Sequence, residues 1–419
     1  MILIVGAGLA GLVAAKTLQA AGEDYLLVDA ADAPGGRVRT DVIDGFRLDR
    51  GFQVLLDSYP AARQHLDIPA LRPRYFDSGA LLHDDGDFFR VLHPIRHPSG
   101  ALAAALDPTF PFPDKLHLAA LLASTVLHSD DSLLNRCANP NEPSTAGLLA
   151  RLGFSPTFIR RFVQPFFGGV FLDNDLETSA GLFCYYLKKF ATGLALIPAR
   201  GIGEIPRQLA EDLPASRLRL STRIDRLETS GTRATAAITA EGETLRADAI
   251  LLATDEPATH RILGLIPSAA RPARGVTAVY FRSSRPLYTG PLLVLPSGPD
   301  RLVRHLVQLT NVAPELAPDG QHLVSATILD PRGLDAAALA SAAATEIETI
   351  FTEAREALTH LHTAHVPYAQ PRQPPGFAAH LPNPTTPANV LLAGDQIHPC
   401  SIQSAMTSGE SAAQKIATL

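Results

Sequence analysis

Tryptophan is missing from this 419-residue chain, methionine occurs twice and cysteine three times. The first two shortages carry no functional information. The third does: Cys137, Cys184 and Cys400 are odd in number and widely spaced, which argues against a disulfide framework or a structural zinc site and points to a reducing cytoplasm. No uninterrupted apolar stretch is long enough to span a bilayer. The first apolar run starts at Met1, leaving no room for a signal peptide, so a cytoplasmic location is expected. Charged residues make up 19% of the chain, the net charge is −6, and no Lys/Arg stripe is present; nucleic acid is not the expected partner. Fourteen histidines are present, but no cysteine or carboxylate pattern completes a metal site around His360, His362 and His365, and His93-Pro94 and His97-Pro98 read as turns. There is no internal repeat and no low-complexity tail. With 46% hydrophobic residues and a length beyond one ordinary core, two intimately joined domains are expected.

What is present starts at the first residue. Met1-Ile2-Leu3-Ile4-Val5 reads as a buried parallel strand, and it runs into Gly6-Ala7-Gly8-Leu9-Ala10-Gly11 and then a helical pattern. Gly6 permits the tight turn, Gly8 lets the backbone approach a pyrophosphate, and Gly11 lets helix pack on strand. The helix N-terminus offers free N–H groups and a positive dipole end to phosphate. Leu26-Leu27-Val28 reads as the second strand, ending at Asp29, where a ribose-binding acid is expected. Strand, glycines, helix and acid in this order predict a dinucleotide site in a doubly wound α/β domain.

A second glycine loop, Gly35-Gly36-Arg37, follows, and Arg37 offers a planar fork of donors to a phosphate. Gly51, in Asp49-Arg50-Gly51-Phe52-Gln53, is again suited to close backbone approach. Between about Arg90 and Lys189 helical patterns alternate with prolines, the clearest spanning 114–128 and 157–167. Short strands are predicted at 218–220, 223–227, 234–238 and 249–254, and an antiparallel sheet at 276–282, 292–295, 302–309 and 323–329. The stretch 342–362 is predicted as an amphipathic helix with Ile347, Ile350, Phe351, Ala354, Leu358 and Leu361 on one face. A last strand, 389–393, leads to Gly394-Asp395 and a helix from about Ser401 to Ala417 with a small-residue face.

Taken together, these motifs resemble the flavin-containing amine oxidase and phytoene desaturase superfamily. The match rests on Gly6-x-Gly8-x-x-Gly11 with Asp29, Gly35-Gly36-Arg37-x-x-Thr40, and Gly394-Asp395 before the last helix, in family order over nearly the whole chain. The resemblance implies a Rossmann-like FAD-binding domain from residues 1–85, 200–262 and 385–419. It also implies a substrate domain of antiparallel sheet plus helices from 86–199 and 263–384. It implies non-covalent FAD, with Gly6, Gly8, Gly11, Gly36 and Arg37 at the pyrophosphate, Asp29 at the adenosine ribose and Ile224 at the adenine. Asp395 would meet ribitol or pyrophosphate, and Ile402 and Gln403 the N1/C2=O edge of the ring, where a helix N-terminus favours the charge of reduced flavin. Cys400 is the only cysteine near the expected ring.

The implied reaction is hydride transfer from an apolar, isoprenoid- or lipid-like substrate to flavin N5, of desaturase type. The candidate pocket comprises Phe166, Phe167, Gly168, Phe171, Phe183 and Tyr185. Two departures weaken the amine-oxidase alternative: Gly275-Val276-Thr277-Ala278 lacks the lysine that such oxidases place near N5, and residues 396–401 lack an aromatic cage wall. Lys188 and Lys189 read as a solvated helix face. Protoporphyrinogen-type ring oxidation and a non-redox flavin-dependent isomerisation remain alternatives. Thr109-Phe110-Pro111-Phe112-Pro113 reads as a buried loop rather than a membrane contact.

Overall fold

A computed structural model describes residues 1–92, 109–266, 271–298, 300–381 and 386–418. The two His-Pro turns and the 384/385 boundary expected from sequence lie outside the described residues. Five strands form a parallel sheet in the order Leu218–Arg219, Tyr25–Val28, Ile2–Val5, Ala249–Leu252, Val390–Leu392. Ile2–Val5 sits at its centre and Ile2, Leu3, Ile4 and Val5 are all buried, as a strand covered on both faces must be. The first helix, Leu9–Ala20, and the last, Ile402–Ile416, pack against each other on this sheet. They come unusually close because a Cβ at Gly409 would lie 2.1 Å from the Ala10 carbonyl oxygen, so any side chain there would push the helices apart.

The second sheet has seven strands in the order Leu358–Pro371, Ala273–Ser283, His322–Ile328, Val303–Gln308, Leu293–Pro296, Gly79–Asp84, Asp87–Leu92. Its pairs are antiparallel except Leu293–Pro296 with Gly79–Asp84, which run parallel. Helices from residues 112–192 lie beside it and contribute to the same large core as the parallel sheet. An α/β architecture with a doubly wound parallel sheet and an antiparallel sheet with helices is thus what the chain adopts.

One local expectation fails and another is extended, each for a physical reason. The helix predicted over 342–362 spans Ala336–Ile350, begins at an Asp335 cap that accepts the Ala338 N–H, and stops there. Residues 358–371 form the edge strand of the seven-stranded sheet. Leu358 and Leu361 fit a helical period by coincidence, while the Thr- and Val-bearing alternation beyond them follows the strand. The predicted 157–167 helix belongs to a longer helical run, Pro156–Phe158, a π-helical segment Ile159–Val163, then Gln164–Phe171. The π segment precedes Pro165, which has no N–H to donate back into the turn.

One buried carboxylate ties the hairpin formed by Thr40–Ile43 and Phe46–Asp49 to both neighbouring layers. Asp49 Oδ1 accepts from Thr40 Oγ1 (2.5 Å) and from the Ile202 N–H (3.0 Å), and its carbonyl accepts from Tyr280 Oη (2.6 Å). Burial pushes its pKa up to about 7, against the pull of those hydrogen bonds. A raised acid pKa costs stability when the group is ionised. That cost is absent below the unfolded value of about 4, grows as pH rises towards the folded value, and is complete above it. Asp49→Asn keeps an oxygen for both donors. Its melting temperature relative to the parent should therefore improve as pH is raised from about 5 to about 8; a difference independent of pH would contradict the ionisation of Asp49 in this window.

Candidate functional site

A single cavity of about 920 Å³ runs from the first glycine loop to the helices beside the second sheet. At one end it is lined by Gly6, Gly8, Asp29, Gly36, Ile224 and Thr254. Gly6 has φ +105°, and a Cβ there would lie 2.7 Å from the Ala253 carbonyl oxygen, so only glycine fits the turn. Gly11 lies behind the cavity wall, where a Cβ would meet the Gly6 carbonyl oxygen at 1.8 Å. Gly8 caps the first helix without a side-chain hydrogen bond. The Leu9 and Ala10 N–H groups have no partner among the described residues and face an anion-binding position. Asp29 anchors this loop: the Ala7 N–H donates to Oδ2 (2.5 Å) and the Ala31 N–H to Oδ1 (2.7 Å).

The middle of the cavity joins residues from both ends of the chain. Arg37 Nη1 donates to Asp395 Oδ2 (2.7 Å) and to the Ala369 carbonyl (2.8 Å). Burial pushes the Asp395 carboxyl up, but the Arg37 charge and hydrogen bond more than offset it, leaving its pKa below the usual range. Gly35, Gly51, Gly394 and Ile402 line this region. Ser401 caps the last helix by accepting the Ser404 N–H. The Ile402 and Gln403 N–H groups are left without a partner among the described residues. The Gln403 side chain turns away, its Oε1 accepting the Ala61 N–H at 2.8 Å.

The far half is apolar. Phe110, Leu122, Phe158, Phe162, Phe166 and Phe190 line it. The phenylalanines stack at four-residue spacing, with ring centroids 5.1 Å apart for Phe154–Phe158, 5.7 Å for Phe158–Phe162 and 5.8 Å for Phe162–Phe166. Phe167 also reaches the cavity.

Four of the residues predicted for this pocket are packed behind its wall. Phe171 and Phe183 flank the buried face of Phe167, Gly168 sits under the Asp173 turn, and Tyr185 packs beneath Lys189. Lys189 is buried rather than solvated, and both it and Lys188 pair with Asp130. Phe110 lines the cavity while Phe112 is exposed.

Sequence reasoning also missed residues that the fold brings in. Tyr59 and Tyr186 line the cavity, and Tyr186 Oη donates to the Cys400 carbonyl at 2.7 Å. His305 lines it too. The Phe154/158/162/166 periodicity was readable; the tyrosines and His305 depend on tertiary neighbours that no local pattern reveals. No cluster of His, Cys, Asp and Glu suited to a metal exists among the described residues, and no described helix is long and apolar enough to cross a membrane.

Comparison with known proteins places this geometry. The model of the flavin-containing amine oxidoreductases matches residues 9–417. The phytoene dehydrogenase of Streptomyces griseus is 29% identical over 299 residues, 65% of this chain and 58% of that protein; the chain thus spans little more than half of that relative's length. Putrescine oxidase bound to putrescine superposes with a TM-score of 0.74 at 16% identity, covering 100% of this chain and 99% of that one. Reduced UDP-galactopyranose mutase superposes with a TM-score of 0.70 at 14% identity, covering 100% and 95%. An oxidase and a mutase share this fold, so the fold leaves the reaction open. The family match covers almost the entire chain, and the protein belongs to the flavin-containing amine oxidoreductases, with FAD as its cofactor.

Proposed function

We propose that this protein is an FAD-dependent oxidoreductase of desaturase type, acting on an apolar substrate of isoprenoid or lipid character. The observation that carries the reading is the division of one cavity into a polar, glycine-lined end and a phenylalanine-walled end. Its nucleotide half suits FAD: a Cβ at Gly8 would project into open space, and one at Gly36 would come 3.5 Å from Gly8 Cα, so the two glycine loops form a cradle beside an uncapped helix end. In this reading Gly6, Gly8, Gly36 and Arg37 hold the pyrophosphate, Asp29 the ribose, Ile224 the adenine and Asp395 the ribitol side. Ile402 and Gln403 present their free backbone N–H groups to the ring edge, and Gly11, Gly35, Gly51 and Gly394 shape the backbone around it.

The five parallel strands fall in 1–85, 200–262 and 385–419, which supports drawing the nucleotide domain from those segments; we end the first of them before Gly79, whose strand pairs in the other sheet. When bound, FAD supplies the hydride acceptor. The chain's own part is to orient a C–H bond in a dry cavity, with Phe162, Phe166 and Phe190 excluding water. The similarity to a phytoene dehydrogenase supports the desaturase reading over amine oxidation. So do the aliphatic Val276 and the hydroxyl of Ser401, which line the cavity in the regions where amine oxidases carry a lysine and an aromatic. An amine buried without partners costs several kcal/mol.

Asp395→Ala should weaken FAD binding about ten- to hundredfold, the cost of losing a charged hydrogen-bond partner, with less change in melting temperature of the apoprotein. Unchanged FAD affinity would remove Asp395 from the site. The flavin should also leave on denaturation. Burial pushes the Cys400 thiol well up, which disfavours the thiolate that a covalent link needs; intact mass under denaturing conditions should equal that of the polypeptide alone. Anaerobic mixing with a panel of amines and apolar polyenes decides the substrate class. Bleaching of the flavin by the polyenes is expected, and rapid bleaching by an amine with kcat/KM of about 10⁴ M⁻¹s⁻¹ or above would replace the desaturase reading with amine oxidation.

A further inference from the structure

The sheet that roofs the phenylalanine-walled half of the cavity carries a neighbouring pair of polar residues that line it. His305 lies on Val303–Gln308 and Thr327 on His322–Ile328, and the two are direct register partners. Cross-strand partners project from the same face of a sheet, and both residues line the cavity while being only 4% exposed. The His305 Nε2 lies 2.9 Å from the Pro165 carbonyl oxygen and 3.2 Å from that of Phe166. Carbonyls only accept, so Nε2 carries the hydrogen and Nδ1 presents a lone pair. Burial pushes the His305 pKa down to about 4, which keeps the ring neutral and Nδ1 an acceptor near neutral pH. Neither Nδ1 nor the Thr327 hydroxyl has a hydrogen-bond partner among the described residues.

The ring's position is specific. A Cβ at Gly169 would lie 2.0 Å from His305 Cε1, so glycine at this point of the helix leaves the space the imidazole occupies. The edge of Phe52 closes another side, with centroids 6.2 Å apart. Both atoms are reachable from the cavity rather than sealed behind its wall, so a ligand that expels water from this half must replace the hydrogen bonds water makes to them.

We propose that His305 and Thr327 form a hydroxyl-binding pair, and that the substrate is an apolar molecule carrying a hydroxyl group. The inference rests on the apolar-substrate reading above and narrows it. A hydroxyl fits both partners at once: its O–H donates to Nδ1, and the Thr327 O–H donates to its oxygen. An ammonium group can donate to both but brings an unpaired charge into an apolar cavity, which costs far more than burying a hydroxyl, and a carboxylate has no hydrogen for Nδ1. A site built to hydrogen-bond a hydroxyl discriminates against the analogue lacking it far more strongly than an apolar wall discriminates by size.

The test uses the FAD-loaded protein and two probes, a long-chain isoprenoid alcohol and the hydrocarbon with the same carbon skeleton. Each is titrated calorimetrically and by the shift it causes in the flavin absorbance spectrum. The alcohol should bind about tenfold or more tightly than the hydrocarbon, and Thr327→Val should bring that ratio towards one. His305→Phe removes the acceptor itself but also the ring's hydrogen bond to the helix Gln164–Phe171, so the nearly isosteric Thr327→Val carries the argument if the histidine variant folds poorly. Hydrocarbon binding with no preference for the alcohol, or a preference unchanged by Thr327→Val, overturns the hydroxyl pair and leaves the apolar-substrate reading standing. Failure of both probes to bind overturns that reading and the pair with it.

Discussion

Close approach of backbone to backbone beneath the first glycine loop is the constraint on which the site depends. The first helix must begin directly on its own strand, which requires Gly11 against the Gly6 carbonyl. It must also accept the last helix at short range, which requires Gly409 against the Ala10 carbonyl. Both contacts are with main-chain atoms, which cannot rotate away as a side-chain tip can. They fix where the uncapped N–H groups of the first turn point. They also fix where the last helix begins, because Ile402–Ile416 lies against Leu9–Ala20 along much of its length. Two helix N-termini distant in sequence are thereby set around one cavity.

Arg37 and Asp395 connect that frame electrostatically. They come from the first and last tenths of the chain and meet at 2.7 Å. A half-exposed arginine beside an almost fully buried carboxylate is an asymmetric pair: Asp395 relies on Arg37 for its charge to be tolerated, whereas Arg37 retains access to the cavity. A guanidinium has more donors than one carboxylate oxygen uses, so the same residue holds Asp395 ionised and still has donors for a phosphate. Asp29 shows a comparable economy, since one oxygen holds the glycine loop through Ala7 and the other holds its own loop through Ala31, while each keeps acceptor capacity.

The legible part of the chain is the part whose chemistry is local. The glycine loops, the parallel strands of the first sheet and the acid at the end of the second strand are set by short-range geometry, and the sequence carries them in consecutive residues. Legibility falls where partners are remote. The end of the expected 342–362 helix is overturned because the helical spacing of Leu358 and Leu361 is a coincidence; the decision is made by an open edge on Ala273–Ser283, which is invisible locally. Lys189 read as surface because its partner, Asp130, lies on another helix. Phe171 and Phe183 read as pocket because large apolar residues look alike in sequence whether they wall a cavity or lie behind its wall. Phe158, Phe162 and Phe166 share one helical face and line the cavity, whereas Phe167 and Phe171 repeat the same spacing and only Phe167 reaches it.

His305 is the sharpest case of this limit. In sequence it is one of fourteen histidines, set in the apolar strand Val303–Gln308, and nothing nearby marks it. Its character comes from three remote contributions: carbonyls from the Pro165–Phe166 turn of a helix fix its tautomer, a glycine on that helix makes room for its ring, and its register partner on the adjacent strand, Thr327, stands beside it. The π segment at Ile159–Val163 belongs to the same arrangement, because it delivers the Pro165 and Phe166 carbonyls to the histidine at the point where proline breaks the regular hydrogen-bond ladder. Pro165 lacks the N–H that would close on the turn before it, while the Pro165 and Phe166 carbonyls, inside the helix Gln164–Phe171, take the imidazole N–H as an additional donor. The helix thus fixes which ring nitrogen carries the hydrogen, and the lone pair is left to Nδ1 on a ring that lines the cavity.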